Sequence, residues 1–590
     1  MTYELRANQL VGAGGVGAIV DIGDESFVVG DITRWSKPDQ QIIIPRMERR
    51  LRRELLKPPA NQKGSRGDVL LSRFPGSLFC NRAQCRRIVT NWNEAKSGNP
   101  GGKPLCPSCG TEGSLVPMRF VAACKAGHLN DVPWKRWVTH SNESCPSRLK
   151  LLIGTGGTGG LESLVIKCVD CGANRDLSQI VTKDSMKAIG AKCFGTHPWR
   201  YDETSSCSEP LEVLQRGATN LYYPVTASAL SLDVIEKDDV DQEDIRQRED
   251  FKFVLSMVED VNLDGNFVPP HIKNMVSKLA EKSGVPFEKV LEMIRSGSPA
   301  EEGSAEDTGD WNETEVLREE WSFLKSSAAA DFRASDLVCA ESDLPRFRGQ
   351  CPFDRVLLLH RLREVRAFLG FRRIDPSGEL VTPEAGRPFS GGRPWLPAVE
   401  VFGEGIFLSF SKEWMENWER SVAEHPQEVE RIAALERTRQ KENFWFLPNV
   451  TARYIALHTF AHSLMRQLVF ESGYSSSALR ERIYAGPDMA GVLLYTADGD
   501  SEGSLGGLVR QGQPNRLGDT IRLSLDKAVW CSADPVCSET AGQGLGGFNR
   551  AACHACSLVP ETSCATANTL LDRGFMLGRN GMPGLLSALL

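Results

Sequence analysis

Seventeen cysteines punctuate a chain of 590 residues, and thirteen fall into spacings suited to metal ligation. Cys80-x4-Cys85 is followed, 20 residues on, by Cys106-x2-Cys109. Each short pair makes a tight knuckle, and two facing knuckles place four thiolates about 2.3 Å from a zinc ion. Pro107-Ser108 inside the pair and Gly110 after it supply the turn. Near the C-terminus, Cys531-x5-Cys537 precedes Cys553-x2-Cys556 by 15 residues, and Cys564 follows. Five cysteines for a four-coordinate ion leave one spare. Between these lies Cys168-x2-Cys171 with the isolated Cys193 and Cys207, read as one ligand set in which His197 can replace a cysteine. Cys124-x3-His128 and Cys145 either build a further incomplete site or are simply buried, as unligated cysteines often are. Cys339 and Cys351 have no close partner in sequence.

These sets point to zinc (Zn2+) as a structural cofactor. Full thiolate sets close the coordination sphere, whereas catalytic zinc keeps a position open for water. Disulfides are the competing use of cysteine, but the short C-x-x-C pairs and the lack of a basic-then-apolar leader favour a reducing compartment and metal. No stretch approaches the roughly 20 apolar residues of a membrane span. A cytoplasmic protein without a membrane partner is expected.

Other residues invite chemistry and carry it less well. Gly12 to Gly17 is glycine-rich, but no Gly-Lys-Ser/Thr follows, so a turn is the better account than a phosphate loop. His458, His462 and Arg466 stand at i, i+4 and i+8 of a helix; without Glu after the first His this is no zincin, and hydrogen bonds to a neighbouring strand are expected. Asp498, Asp500 and Glu502 sit in a glycine-rich loop and support, as the alternative to a turn, a metal-dependent nuclease. Arg46, Arg49, Arg50 and Arg53 fall on one face of a basic helical stretch, 46–57, and form a candidate DNA-binding surface tracking phosphates. A solvated or partner-facing helix is the alternative. Arg361, Arg363, Arg366, Arg372 and Arg373 make a second basic patch on an expected helix. No catalytic constellation emerges.

The elements positioning these groups read as α+β. The length implies three to four domains, and 41% hydrophobic with 25% charged residues is ordinary globular composition. Residues 1–75 form a β unit with the basic helix, and 76–215 a zinc-ribbon region too poor in apolar mass to fold without metal. Residues 216–395 form a mainly helical middle with a helix over 356–371 and an acidic linker near 298–307. Residues 396–590 make a mixed C-terminal zinc-binding domain. There, strands flank a turn at Gly403-Glu404-Gly405, helix spans 433–473 with a break at Pro448, a buried strand covers 491–496, and a helix 517–529 leads into the last cysteines. The net charge of −7 excludes a uniformly basic surface but not a basic groove.

From Leu457-His458-Thr459-Phe460-Ala461-His462 through Val492-Leu493-Leu494-Tyr495-Thr496 to the last cysteines, the chain resembles the zinc-binding domain of MrfA-type DNA-repair helicases. That resemblance implies four zinc-holding cysteines from the final five, although Cys531 and Cys537 lie farther upstream than the family spacing. Over its length the chain resembles the DrmB subunits of DISARM antiphage systems. The strings Phe120 to Leu129, Arg216-Gly217-Ala218-Thr219-Asn220, Trp530-Cys531-Ser532 and Ala552-Cys553-His554-Ala555-Cys556 carry the likeness. It implies an accessory subunit that partners a helicase (DrmA), engages DNA within the complex and has no catalytic residues of its own.

Overall fold

Apart from a few single positions, the computed structural model describes residues 5–59, 69–90, 95, 104–140, 144–154, 159–232, 251, 254, 270–283, 287, 290, 291, 294, 311–384, 394–497 and 506–590. The expected linker near 298–307 and the Asp498/Asp500/Glu502 loop lie outside them.

The centre is an eight-stranded sheet ordered Asp331–Arg333, Leu337–Ser342, Phe353–Arg372, Trp395–Phe410, Met489–Thr496, Leu479–Gly486. Tyr223–Leu230 pairs with the far half of Phe353–Arg372, and Glu54–Leu56 adds the one parallel pairing, against the start of Trp395–Phe410. The helix expected over 356–371 is therefore the longest strand of the sheet. Both of its faces are covered, so Val356 to Leu359 and Ala367 to Leu369 read as apolar runs without the alternation of a half-exposed strand. A bulge between Leu359 and Leu362 shifts its phase further. The turn expected at Gly403 to Gly405 is likewise absent, since one strand runs through it. These glycines admit a neighbouring backbone instead: a Cβ on Gly403 would sit 1.8 Å from the Thr496 carbonyl oxygen. Strands either side of the expected 395/396 division thus share one sheet.

One face of the sheet is covered by the long helix Ala452–Ser472. Thr451 caps its N-terminus by accepting from the Tyr454 N–H, and Gly473, at φ 80°, ends it. Its apolar residues surround the axis rather than forming a stripe, as a helix enclosed on all sides requires. Around it pack Lys412–Ala423, Pro514–Ala528 and Arg573–Leu577 in one core with Leu408, Phe410 and Val492. The break expected near Pro448 separates this helix from Pro426–Lys441.

The described residues of 76–215 are built from short strands in four small sheets. Their core counts Cys124, Cys168 and Cys193 among its buried members beside Phe120, Trp134 and Trp137. In the expected N-terminal β unit, Ile19–Ile22 pairs antiparallel with Glu25–Val29, which is extended by Leu71–Arg73. Arg373 joins three parts of the chain. Its guanidinium is fully buried and donates to the carbonyls of Gly17 (2.7 Å), Leu221 (2.8 Å) and Gly127 (2.9 Å), among Trp199, Tyr222 and Phe371. Burial lowers its pKa to about 10.

The patch expected around Arg361 to Arg373 is accordingly not an open basic face. Arg363 pairs with Asp336 and Glu400, and Arg366 with Glu364.

Candidate metal centres and an arginine-lined cleft

Among the described residues, four groups built from cysteine and histidine alone converge along the chain, and in each the donor atoms lie within 4.8 Å of one another. The first contains Cys80, Cys85, Cys106 and Cys109. Cys80 and Cys106 end short strands, while the Cys109 N–H donates to the Cys106 carbonyl across the knuckle turn. Sulfur separations are 4.0 Å for Cys80–Cys109 and 3.8 Å for Cys85–Cys106. A tetrahedron with bonds of about 2.3 Å has edges of about 3.8 Å, whereas a disulfide needs about 2.05 Å. Gly113 lies against this knuckle; a Cβ there would approach Cys109 Cβ to 2.7 Å and Cys80 Sγ to 3.1 Å.

The set expected from Cys168, Cys171, Cys193 and Cys207 is divided between two groups. Cys193 and Cys207 meet Cys124 and His128: Cys124 Sγ lies 3.7 Å from Cys193, 3.9 Å from Cys207 and 3.3 Å from His128 Nδ1. His128 Nε2 contacts Ser205 Oγ at 2.9 Å, the outer partner that orients a ligating imidazole. His197 stays outside this group, packing edge-on to His128, and burial lowers its pKa to about 4. Cys168 and Cys171 meet His140 and Cys145. Here Cys145 and Cys168 are 3.6 Å apart and His140 Nδ1 is 3.3 Å from Cys171 Sγ. His140 Nε2–H donates to the Lys135 carbonyl, which leaves Nδ1 as the donor atom facing the cysteines.

The division has a physical cause. Strand Leu149–Ile153 pairs with Leu164–Cys168 and brings Cys145 to the Cys168 knuckle. Strand Phe120–Ala123 is instead hydrogen-bonded to Glu212–Gln215, which carries Cys207 toward Cys124. Spacing alone gave His140 no signal, and it left Cys124, His128 and Cys145 undecided.

The fourth group is Cys531, Cys537, Cys553 and Cys556, with separations of 3.4 Å (Cys531–Cys553), 3.8 Å (Cys537–Cys556) and 3.9 Å (Cys553–Cys556). The buried Arg573 reaches Cys537 Sγ at 3.8 Å and pairs with Asp534, placing a positive charge beside four sulfurs. A zinc–tetrathiolate unit carries excess negative charge, so this neighbour suits it. Cys564 is the cysteine left over.

Cys564 lies instead with His458, His462 and Glu481. The two histidines project from one face of the long helix, and Glu481 from strand Leu479–Gly486. The expected hydrogen bonding of the histidines to a neighbouring strand is present: Glu481 Oε1 lies 3.0 Å from His458 Nε2 and 3.2 Å from His462 Nε2. Arg466 turns away to the carbonyls of Leu558 and Ala555. Burial would push both imidazoles down, but the Glu481 and Cys564 charges outweigh it and hold them at about 9 and about 10.

The expected phosphate-tracking face is corrected by the structure. The helix is short, Pro45–Leu51, and Arg52, at φ 52°, ends it. Arg46 is buried against Glu319 and Glu320, and Arg50 pairs with Glu315 and Glu319, all on helix Glu313–Lys325. Arg49 is half-buried, and Arg53 reaches the rim of a large cleft. Basic periodicity shows that a face is charged; it does not show that an acidic helix from 260 residues away will cover it.

The cleft encloses about 2610 Å³ between the N-terminal unit, the sheet and the long helix. Among the described residues, eleven Arg and Lys against six Asp and Glu line it, in a chain of net charge −7. Arg372 stacks at 3.9 Å over the partly exposed Trp445, and Tyr223, Trp311 and Phe446 add further rings.

Fold and sites together define an α+β protein with cysteine–histidine groups of structural-metal type at both ends. Residues 460–557 match the MrfA Zn-binding domain, and residues 6–223 match a domain of unknown function, DUF8724. The DISARM protein DrmB of Bacillus paralicheniformis is 33% identical over 578 residues, covering 95% of this chain and 97% of that protein. The chain belongs to the DrmB family.

Among the described residues, no helix is long and apolar enough to cross a membrane.

Proposed function

We propose that this chain is a non-catalytic, zinc-stapled accessory subunit of a DISARM antiphage complex, which docks on a helicase partner of the DrmA type and lends it DNA-binding surface. The observation that carries the reading is the full-length likeness to DrmB, joined to a MrfA-type zinc-binding domain. The donor chemistry of the four ribbon-type groups agrees with it. Cys80/Cys85/Cys106/Cys109 and Cys531/Cys537/Cys553/Cys556 offer four thiolates each, and the other two offer three with an imidazole. Such sets take up zinc and leave it no open position, so the ion's contribution would be folding energy.

DNA contact in this reading belongs to the cleft rather than to the helix Pro45–Leu51. Arginines track phosphates there, and the exposed Trp445 beside Arg372 can stack on a base. Arg318 is exposed on the cleft wall. The test is fluorescence anisotropy of labelled DNA with the complete complex over a salt series. Arg318→Glu should weaken binding and reduce the log–log salt slope by about 1. Affinity and slope equal to wild type would remove the cleft wall at Arg318 from the DNA path. In parallel, ATP hydrolysis should require the helicase subunit; turnover by this chain alone would refute the accessory assignment.

A further inference from the structure

We propose that His458, His462, Glu481 and Cys564 form a fifth metal centre, separate from the ribbon groups, that holds one zinc-class divalent ion in the middle of the C-terminal core. Nothing in the domain match assigns it: His458 and Cys564 fall outside residues 460–557, and Cys564 is no member of the four-cysteine group.

The hydrogen bonding of the imidazoles is the first argument. His462 Nδ1 lies 3.0 Å from the Ser557 carbonyl oxygen and His458 Nδ1 lies 3.4 Å from that of Leu570. A carbonyl only accepts, so both Nδ1 atoms carry their protons and Nε2 of each ring is the atom that faces inward, where an ion can take the place of a proton. This is the tautomer that outer partners impose on ligating histidines. The inward Nε2 atoms converge on Glu481 Oε1, and His458 Nε2 also lies 3.3 Å from Cys564 Sγ. Two ring nitrogens, a carboxylate oxygen and a sulfur gathered this closely are held by positive charge, which one divalent ion can supply in place of the ring protons.

Glu481 supplies the second argument. One oxygen, Oε1, serves both histidines, while Oε2 is buried with no hydrogen-bond partner. Two protonated imidazoles meeting a carboxylate have two oxygens to share. A single engaged oxygen with its twin idle is the pattern of a monodentate metal ligand. Separations of 3.0 to 3.3 Å around the group also approach the edge of about 3.3 Å expected for a tetrahedron with metal–N and metal–O bonds near 2.0 Å.

Charge and ligand type select the ion. A carboxylate, a thiolate and two neutral imidazoles carry two negative charges, and a divalent cation leaves the buried group neutral. Mixed N, O and S donors suit zinc and exclude magnesium and calcium, which prefer oxygen alone. The Asn568 N–H donates to Cys564 Sγ at 3.3 Å, as an outer partner of a thiolate would. All four donors are less than 9% exposed, and Glu481 and Cys564 lie at the floor of the cleft. The ion would act as a clasp from the long helix to strand Leu479–Gly486 and to the chain around Cys564.

The test counts metal on the full-length chain purified from zinc-replete cells. Native mass spectrometry should show one ion fewer in the double variant His458→Gln/Cys564→Ser than in wild type, with the circular dichroism spectrum retained. Equal counts in two folded proteins would overturn the proposal. Should the variant not fold, a zinc-edge anomalous difference map of wild-type crystals decides. A peak within bonding distance of all four side chains supports the site. Peaks at the ribbon groups with none here would show that protons, not an ion, hold these residues together.

Discussion

The ribbon segment 76–215 and the C-terminal core use the same donor atoms in opposite ways. In the segment, strands of two to eight residues surround cysteines that are themselves part of the hydrophobic cluster, so ligand and core are one thing. In the C-terminal half a 21-residue helix, enclosed on all sides, packs on an eight-stranded sheet, and the metal-type groups sit within or beside a core that apolar burial already provides. The difference teaches that cysteine content does not measure dependence on metal. What matters is how much apolar surface remains to hold the elements when the ion is removed.

Chelation should separate the two regions most sharply. Structural zinc in small modules contributes on the order of 10 kcal/mol per ion to folding. Treatment with a strong chelator is therefore expected to expose 76–215 to hydrogen exchange and proteolysis, while amides of Leu457 to Leu468 stay protected. Simultaneous loss of protection in both regions would erase the contrast. Next in size is Arg373→Ala, which would leave three buried carbonyls without a donor; about 3–5 kcal/mol of stability should be lost, read by denaturant titration. Because this side chain ties the N-terminal unit and the ribbon segment to the sheet, the loss should loosen their attachment before the C-terminal core melts. A single unaltered transition would contradict that.

Acid sharpens the comparison from the side of the sheet. Burial alone would raise the Glu364 carboxyl, but Arg366, Arg480 and Arg482 reverse this and hold it at about 2. A depressed folded-state pKa stabilises above the ordinary value of 4.5 and is lost as pH falls through about 2. On the order of 3 kcal/mol should disappear across that window. Glu364→Gln should flatten this part of the stability–pH curve, and an unchanged slope would show that Glu364 does not drive it. The smallest effect expected is that of Thr451→Ala, which removes one cap hydrogen bond from the long helix and should cost about 1 kcal/mol in thermal melts. A much larger loss would mean that the helix depends on its end rather than on its enclosure.

Both outer cysteine quartets were legible because short-range knuckles announce themselves: Cys106-x2-Cys109 and Cys553-x2-Cys556 hold two ligands within one turn, and each gathers the expected neighbours. The two central groups were not separable, because Cys193 and Cys207 reach Cys124 only through strand pairing across some 70 to 80 residues. Glu481 gave no sign at all, being one carboxylate on a strand. The long helix and the strand over 491–496 are visible in their apolar patterns, but 356–371 reads as helix because a strand buried on both faces carries no period of two.

What the sequence determined by itself was local: which residues can ligate, where several of the strands and helices fall, and the family to which their strings belong. Only the tertiary structure decided which ligands share a group, which arginines are spent on internal carboxylates, and that Cys564 meets two histidines from a helix 100 residues earlier. Short-range spacing is fixed by bond geometry and readable in the chain, whereas long-range convergence depends on which apolar faces bury one another.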